Sequence, residues 1–125
     1  MADRNFDNVQ TLGKGRKIIS GSFLPNGAGA IAADPAWLGF SVARTSAGSF
    51  TITLTDPYVA IVAAVATIQM NAATDVVPQW GAIDVVTAKT LVLNTLAAAV
   101  ATDIASNANN RVFFTLTLRN TTVVP

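Results

Sequence analysis

Phe50, Ile52 and Leu54 occupy every second position of the segment 49–55, and Thr51, Thr53 and Thr55 fill the gaps between them. Side chains leave a β-strand on alternate faces, so this spacing puts three large apolar groups on one side and three hydroxyls on the other. A helix would scatter the same residues around its circumference. Segment 112–119 repeats the pattern, with Val112, Phe114, Leu116 and Leu118 on one face and Phe113, Thr115, Thr117 and Arg119 opposite. Both read as half-buried antiparallel strands.

The rest of the chain follows this frame. Residues 18–24 read as a strand, and Pro25-Asn26-Gly27-Ala28-Gly29 as a turn, since proline presets one dihedral and glycine permits positive φ. Residues 39–44 form a strand joined through 45–48 to the next, a hairpin over 39–55 that Asp56-Pro57 closes. Val59 to Met70, rich in Val and Ile, reads as a buried strand, though its alanines permit a helix. Residues 83–87 and 90–95 form a further hairpin with Ala88-Lys89 at its tip. Segment 96–105 stays open: five of its ten residues are alanine, a helix former, yet it lies between strands. Residues 103–110 form a polar loop, and its Asn107-Ala108-Asn109-Asn110 run suits left-handed dihedrals or amide contacts to a ligand. About seven short strands separated by turn signals point to an all-β fold, a single-domain antiparallel β-sandwich or jelly roll over residues 16–125. Residues 1–15 read as an extended N-terminal arm in which Phe6, Val9 and Leu12 are spaced anchors.

Composition narrows the chemistry. The 125 residues include no Cys, no His and no Glu, and the acids are Asp3, Asp7, Asp34, Asp56, Asp75, Asp84 and Asp103, scattered singly. Disulfides, thiol nucleophiles, cysteine zinc sites and a Ser-His-Asp triad are therefore excluded. An enzyme would have to work with two aspartates about 5–10 Å apart in a cleft, and the expectation is that the chain is not an enzyme and holds no cofactor. No dense Asp/Asn loop offers calcium its several oxygens, so no metal is expected. Asp56 and Asp84 read as turn formers.

A formal charge of +1 is too small for a field that holds nucleic acid. Charged residues make up 12%, about half the share usual in soluble domains, so repulsion between copies is weak and association is favoured. The longest unbroken apolar run, 59–66, is far short of the roughly 20 residues a membrane-spanning helix needs. The polar opening Met1-Ala2-Asp3-Arg4-Asn5 lacks the apolar stretch of a signal peptide. A cytoplasm, or a particle assembled there, is the expected setting, without membrane or nucleic-acid partners.

Three places are candidate contact sites. Gly13-Lys14-Gly15-Arg16-Lys17 lacks the spacing and flanks of a phosphate loop. It reads either as a basic hinge or as a patch whose Lys14, Arg16 and Lys17 pair with acidic groups on a partner. Trp37 after Asp34-Pro35, and Trp80 after Pro78, sit in loop-like settings. Each either plugs an end of the sandwich, its indole N–H on a backbone carbonyl, or offers a stacking platform to a ligand. Thr121-Thr122-Val123-Val124-Pro125 is β-prone, suiting either a terminal strand of its own sheet or strand addition to a neighbour through Val123 and Val124.

The run Gly39-Phe40-Ser41-Val42-Ala43-Arg44, the turn Thr45-Ser46-Ala47-Gly48 and the strand 49–55 ending near Asp56-Pro57-Tyr58 resemble a pattern in small virion proteins of tailed bacteriophages. The opening Ala2-Asp3-Arg4-Asn5-Phe6-Asp7 and the stretch Asn109-Asn110-Arg111-Val112-Phe113-Phe114-Thr115-Leu116 are similar to such proteins too. The resemblance implies a capsid decoration (cement) protein on the outer surface of a virion. Its partners would be the major capsid protein and its own copies, as a homotrimer by preference or a homodimer. Arg4, Phe6, Val9, Leu12, Lys14, Arg16, Lys17, Val123 and Val124 would then make the contacts. The alternative it implies is a receptor- or glycan-binding domain of a head or tail fibre, with Trp37 or Trp80 as the stacking residue.

Overall fold

The computed structural model describes residues 15–120. They form eight strands: β1 Arg16–Phe23, β2 Phe40–Ser46, β3 Ser49–Leu54, β4 Ala60–Gln69, β5 Val77–Asp84, β6 Thr90–Ala97, β7 Val100–Ala101 and β8 Arg111–Arg119. No helix occurs among the described residues. Two antiparallel sheets pack together: a three-stranded sheet in the order β1-β8-β4, and a five-stranded one in the order β2-β3-β6-β5 with β7 added to β6. This is the all-β sandwich that the period-two segments imply.

The alternating residues build the core. Phe50, Ile52 and Leu54 of β3 and Val112, Phe114, Leu116 and Leu118 of β8 are all buried. Ile19 and Phe23 of β1, Phe40 and Val42 of β2, and Leu91 and Leu93 of β6 complete the two inner layers. Burying side chains of this size contributes about 1.5–3 kcal/mol each relative to exposure. Across the layers Phe23 meets Phe50 at 5.0 Å between ring centroids, and Phe40 meets Phe114 edge-on at 5.0 Å. Gly21, on the inner face of β1, lets the Phe40 ring lie against the backbone, since a Cβ there would collide with its tip.

The structure corrects three readings and decides a fourth, segment 96–105, that the residues leave open. Segment 59–70 is a strand, but β4 is an edge strand and not a buried one: Val62 and Val65 are 46% and 58% exposed. Among the described residues the three-stranded sheet is covered on one side only, and a run of Val, Ile and Ala reads the same whether or not a second layer exists. β5 begins at Val77, so Pro78 and Trp80 lie in a strand and not in a loop. Pro78 is tolerated because β5 is the outer strand of its sheet. The alanine-rich segment 96–105 is no helix; it finishes β6, turns at Ala98-Ala99 and returns as β7. Left-handed residues other than glycine are Lys89, Ala98 and Ala99 among the described residues, so the Asn107–Asn110 run does not use that region. Its amides tie the loop down instead, with Asn110 Nδ2 donating to Ala105 O at 3.1 Å and its Oδ1 accepting from Asn71 N at 2.7 Å.

Candidate functional site

The outer faces of the two sheets differ in chemistry. On the five-stranded sheet, Ser41 and Ala43 of β2, Thr51 and Thr53 of β3 and Asn94 of β6 point away from the core, a small and polar centre, with Val92 of β6 on the same face and Val77 of β5, 52% exposed, at its edge. On the three-stranded sheet, register puts Ile18 beside Thr117 and Ala63, Ser20 beside Thr115 and Val65, and Ser22 beside Phe113 and Thr67. Ile18, Val62, Val65 and Phe113 there are 45%, 46%, 58% and 41% exposed. The bulge between Ile61 and Ala63 adds Val62 to this face. Four large apolar side chains on one uncovered sheet face, set among serine and threonine, form a candidate contact surface. Ser20 Oγ and Thr115 Oγ1, 3.2 Å apart, satisfy each other across the strands, which lowers the cost of drying the face.

A cleft of about 330 Å³ opens beside this face, lined by Ser20, Ser22, Asp34, Trp37 and Phe113 among others. Asp34 shapes its rim: its Oδ1 accepts from Ala36 N at 2.8 Å and its carbonyl from Trp37 N at 2.9 Å. Trp37 donates its indole N–H to Ser22 O at 2.8 Å and lies 5.7 Å from Phe40, so it closes the end of the sandwich while its edge lines the cleft. Trp80 differs. It packs against the core opposite Leu93, its indole nitrogen buried without a hydrogen-bond partner among the described residues, which leaves it unsuited to stack on a ligand.

At the opposite sheet a polar knot holds three elements together. Asp103 accepts from Arg44 Nε at 3.0 Å and Nη2 at 2.8 Å, and from Gly48 N at 2.9 Å. The Arg44 guanidinium, then the Gly48 amide, hold the Asp103 carboxyl below the usual aspartate range. Thr95, fully buried, donates its hydroxyl to Thr102 O at 2.7 Å beside it. Asp84 is also lowered, by the backbone amides of Thr87, Ala88 and Val86 that it caps at the β5–β6 turn. Each of these carboxylates is committed to the fold. No cluster of three or more metal-ligating side chains occurs among the described residues.

Of the contact residues expected from sequence, Arg16 and Lys17 open β1 and are exposed. Arg4, Phe6, Val9, Leu12, Lys14, Val123 and Val124 lie outside the described residues. The outer face of β1-β8-β4 was missed. Phe113 among outward threonines was a visible signal, but the exposure of Val62 and Val65 was hidden in a run that reads as core. Compared with family models, with curated proteins and with solved structures, the chain matches none.

Proposed function

We propose that this chain is a structural virion protein that decorates a phage capsid, binding major capsid protein subunits and its own copies, and that it works by contact and not by turnover. The observation that carries the reading is the outer face of β1-β8-β4, uncovered among the described residues, where Ile18, Val62, Val65 and Phe113 stand exposed. Repeated over a lattice, many modest contacts of this kind add up to tight attachment without a deep pocket or a reactive group. The resemblance of segments 39–58 and 109–116 to tailed-phage virion proteins supplies the capsid as the lattice.

The test mixes purified protein with undecorated heads of the parent phage and measures occupancy after sedimentation. The double variant Val65→Asp/Phe113→Asp, with an unchanged far-UV spectrum and melting temperature, is expected to lose attachment. Full occupancy by that variant defeats the assignment of the face, and absence of the wild-type chain from heads defeats the capsid reading.

The Trp37 cleft favours a second reading, a glycan-binding fibre domain. An aromatic edge beside two serine hydroxyls and a carboxylate is chemistry that a sugar ring can use. A glycan array in which Phe113→Ala and Trp37→Ala leave a wild-type signal untouched, or in which the wild-type chain gives none, removes it.

A further inference from the structure

We infer that the outer face of β1-β8-β4 docks an apolar surface flanked by carboxylates on a different protein, and not the same face of a second copy. This deepens the docking reading of that face, and its test contains no phage shell, so the two fail separately.

The near-neutral formal charge of the chain conceals a segregation that only the fold creates. β1 and β8 carry Arg16, Lys17, Arg111 and Arg119 and no acid, and β4 carries no charge at all. The other described residues hold Asp34, Asp56, Asp75, Asp84 and Asp103 against Arg44 and Lys89. On the strands of the five-stranded sheet the one cation among the described residues, Arg44, is already neutralised by Asp103. The three-stranded sheet is therefore a basic layer on a molecule whose remaining described residues are net acidic.

The cations are placed at the ends of the apolar patch. Arg16 and Arg119 are directly opposed across β1 and β8, on the same outward parity as Ile18, Thr117 and Phe113. Like charges in that position repel unless an anion lies between or above them. The Arg119 Nε is buried and lacks an acceptor among the described residues. At the other end Arg111 extends Nη1 onto Ser22 Oγ at 2.9 Å, which fixes its guanidinium against the face. Eight residues of strand separate the two ends, roughly 27 Å at about 3.4 Å per residue. A largely apolar centre with guanidinium groups at both margins resembles the anatomy of an interface, and its complement is an apolar surface with carboxylates about that far apart.

The same placement opposes pairing of this face with itself in a second copy. A two-fold axis maps the face onto itself, so the Arg16–Arg119 end meets either its own counterpart or the Arg111 end. Arginine meets arginine in both cases. Asp34 lines the cleft beside Ser22, but a single carboxylate does not offset three guanidinium groups. A phosphate backbone could satisfy the arginines but has nothing to set against Ile18, Val62, Val65 and Phe113, so a protein is the better complement.

The test uses the full chain and three probes followed by NMR chemical-shift mapping: a peptide of alternating leucine and glutamate, one of alternating leucine and lysine, and a short DNA duplex. The leucine–glutamate peptide is expected to bind, with shifts confined to β1, β4 and β8. Arg16→Glu/Arg119→Glu should weaken it about tenfold or more and raise affinity for the lysine peptide. Arg16→Glu alone, at an exposed position, should act in the same direction if the double variant folds poorly. Equal binding of the two peptides, shifts on the five-stranded sheet, or tighter binding of the duplex would overturn the proposal. A dimer in sedimentation equilibrium that Phe113→Asp dissolves would overturn it as well.

Discussion

Asp103 joins β2, the β2–β3 turn and the segment leading into β8 through one carboxylate, and its ionisation is part of the fold. Its folded value lies below that of an unfolded aspartate, so the unfolded chain takes up the proton first as pH falls. The stabilisation it contributes is complete above the ordinary aspartate value, about 3.9, and disappears as pH drops through the lower folded value. Asp103→Asn should cost about 1–3 kcal/mol at neutral pH in urea unfolding, with the gap to the wild type closing below about pH 4. A gap independent of pH would assign the loss to packing. Gly48 beside it has φ 63°, and a Cβ there would collide with the Thr102 amide, so Gly48→Ala should cost about 3 kcal/mol or more. The measurement is the urea midpoint at constant slope.

Turns and edges, more than strand interiors, hold the unusual backbone. Ala98 and Ala99 link β6 to β7 with φ 50° and 67°, a geometry that alanine adopts at a cost and glycine does not. Ala99→Gly is therefore expected to stabilise the protein by about 1 kcal/mol, read as a higher melting temperature. A lower melting temperature would mean that the extra freedom of the unfolded chain outweighs the relieved strain. β8 shows the opposite situation, being the central strand of its sheet. Its inward residues Val112, Phe114, Leu116 and Leu118 are core, and its outward residues Phe113, Thr115 and Thr117 are the middle of the candidate docking face. One strand thus supports both the fold and the candidate docking face.

Over the whole molecule, the sandwich closes by pairing β1 with β8, bringing together groups such as Ser20 and Thr115 that are 95 residues apart. Loops of that length must close before the pairing is rewarded, and antiparallel sandwiches dominated by distant contacts fold slowly. Refolding from urea is expected in milliseconds to seconds, and a stopped-flow phase in microseconds would contradict a closure between β1 and β8. The same closure creates the basic layer. Arg16 and Lys17 come from one end of the described chain, Arg111 and Arg119 from the other, and only their sheet makes them neighbours.

What was legible in the residues was local. The period of two at Phe50-Ile52-Leu54 and Val112-Phe114-Leu116-Leu118 determined strand, face and core, because a side chain's direction in a strand depends on position alone. The hairpin over 39–55 was legible for the same reason, its turn marked by glycine. The exposure of β4, the strand setting of Trp80 and the β6–β7 turn were not, because each depends on what lies across a sheet edge or beyond a layer. The candidate docking face belongs to this second group. Its apolar members, its arginines and the Asp103 knot come from segments far apart in the chain, and charge and hydrophobicity become a surface only when the sheets decide which side faces water.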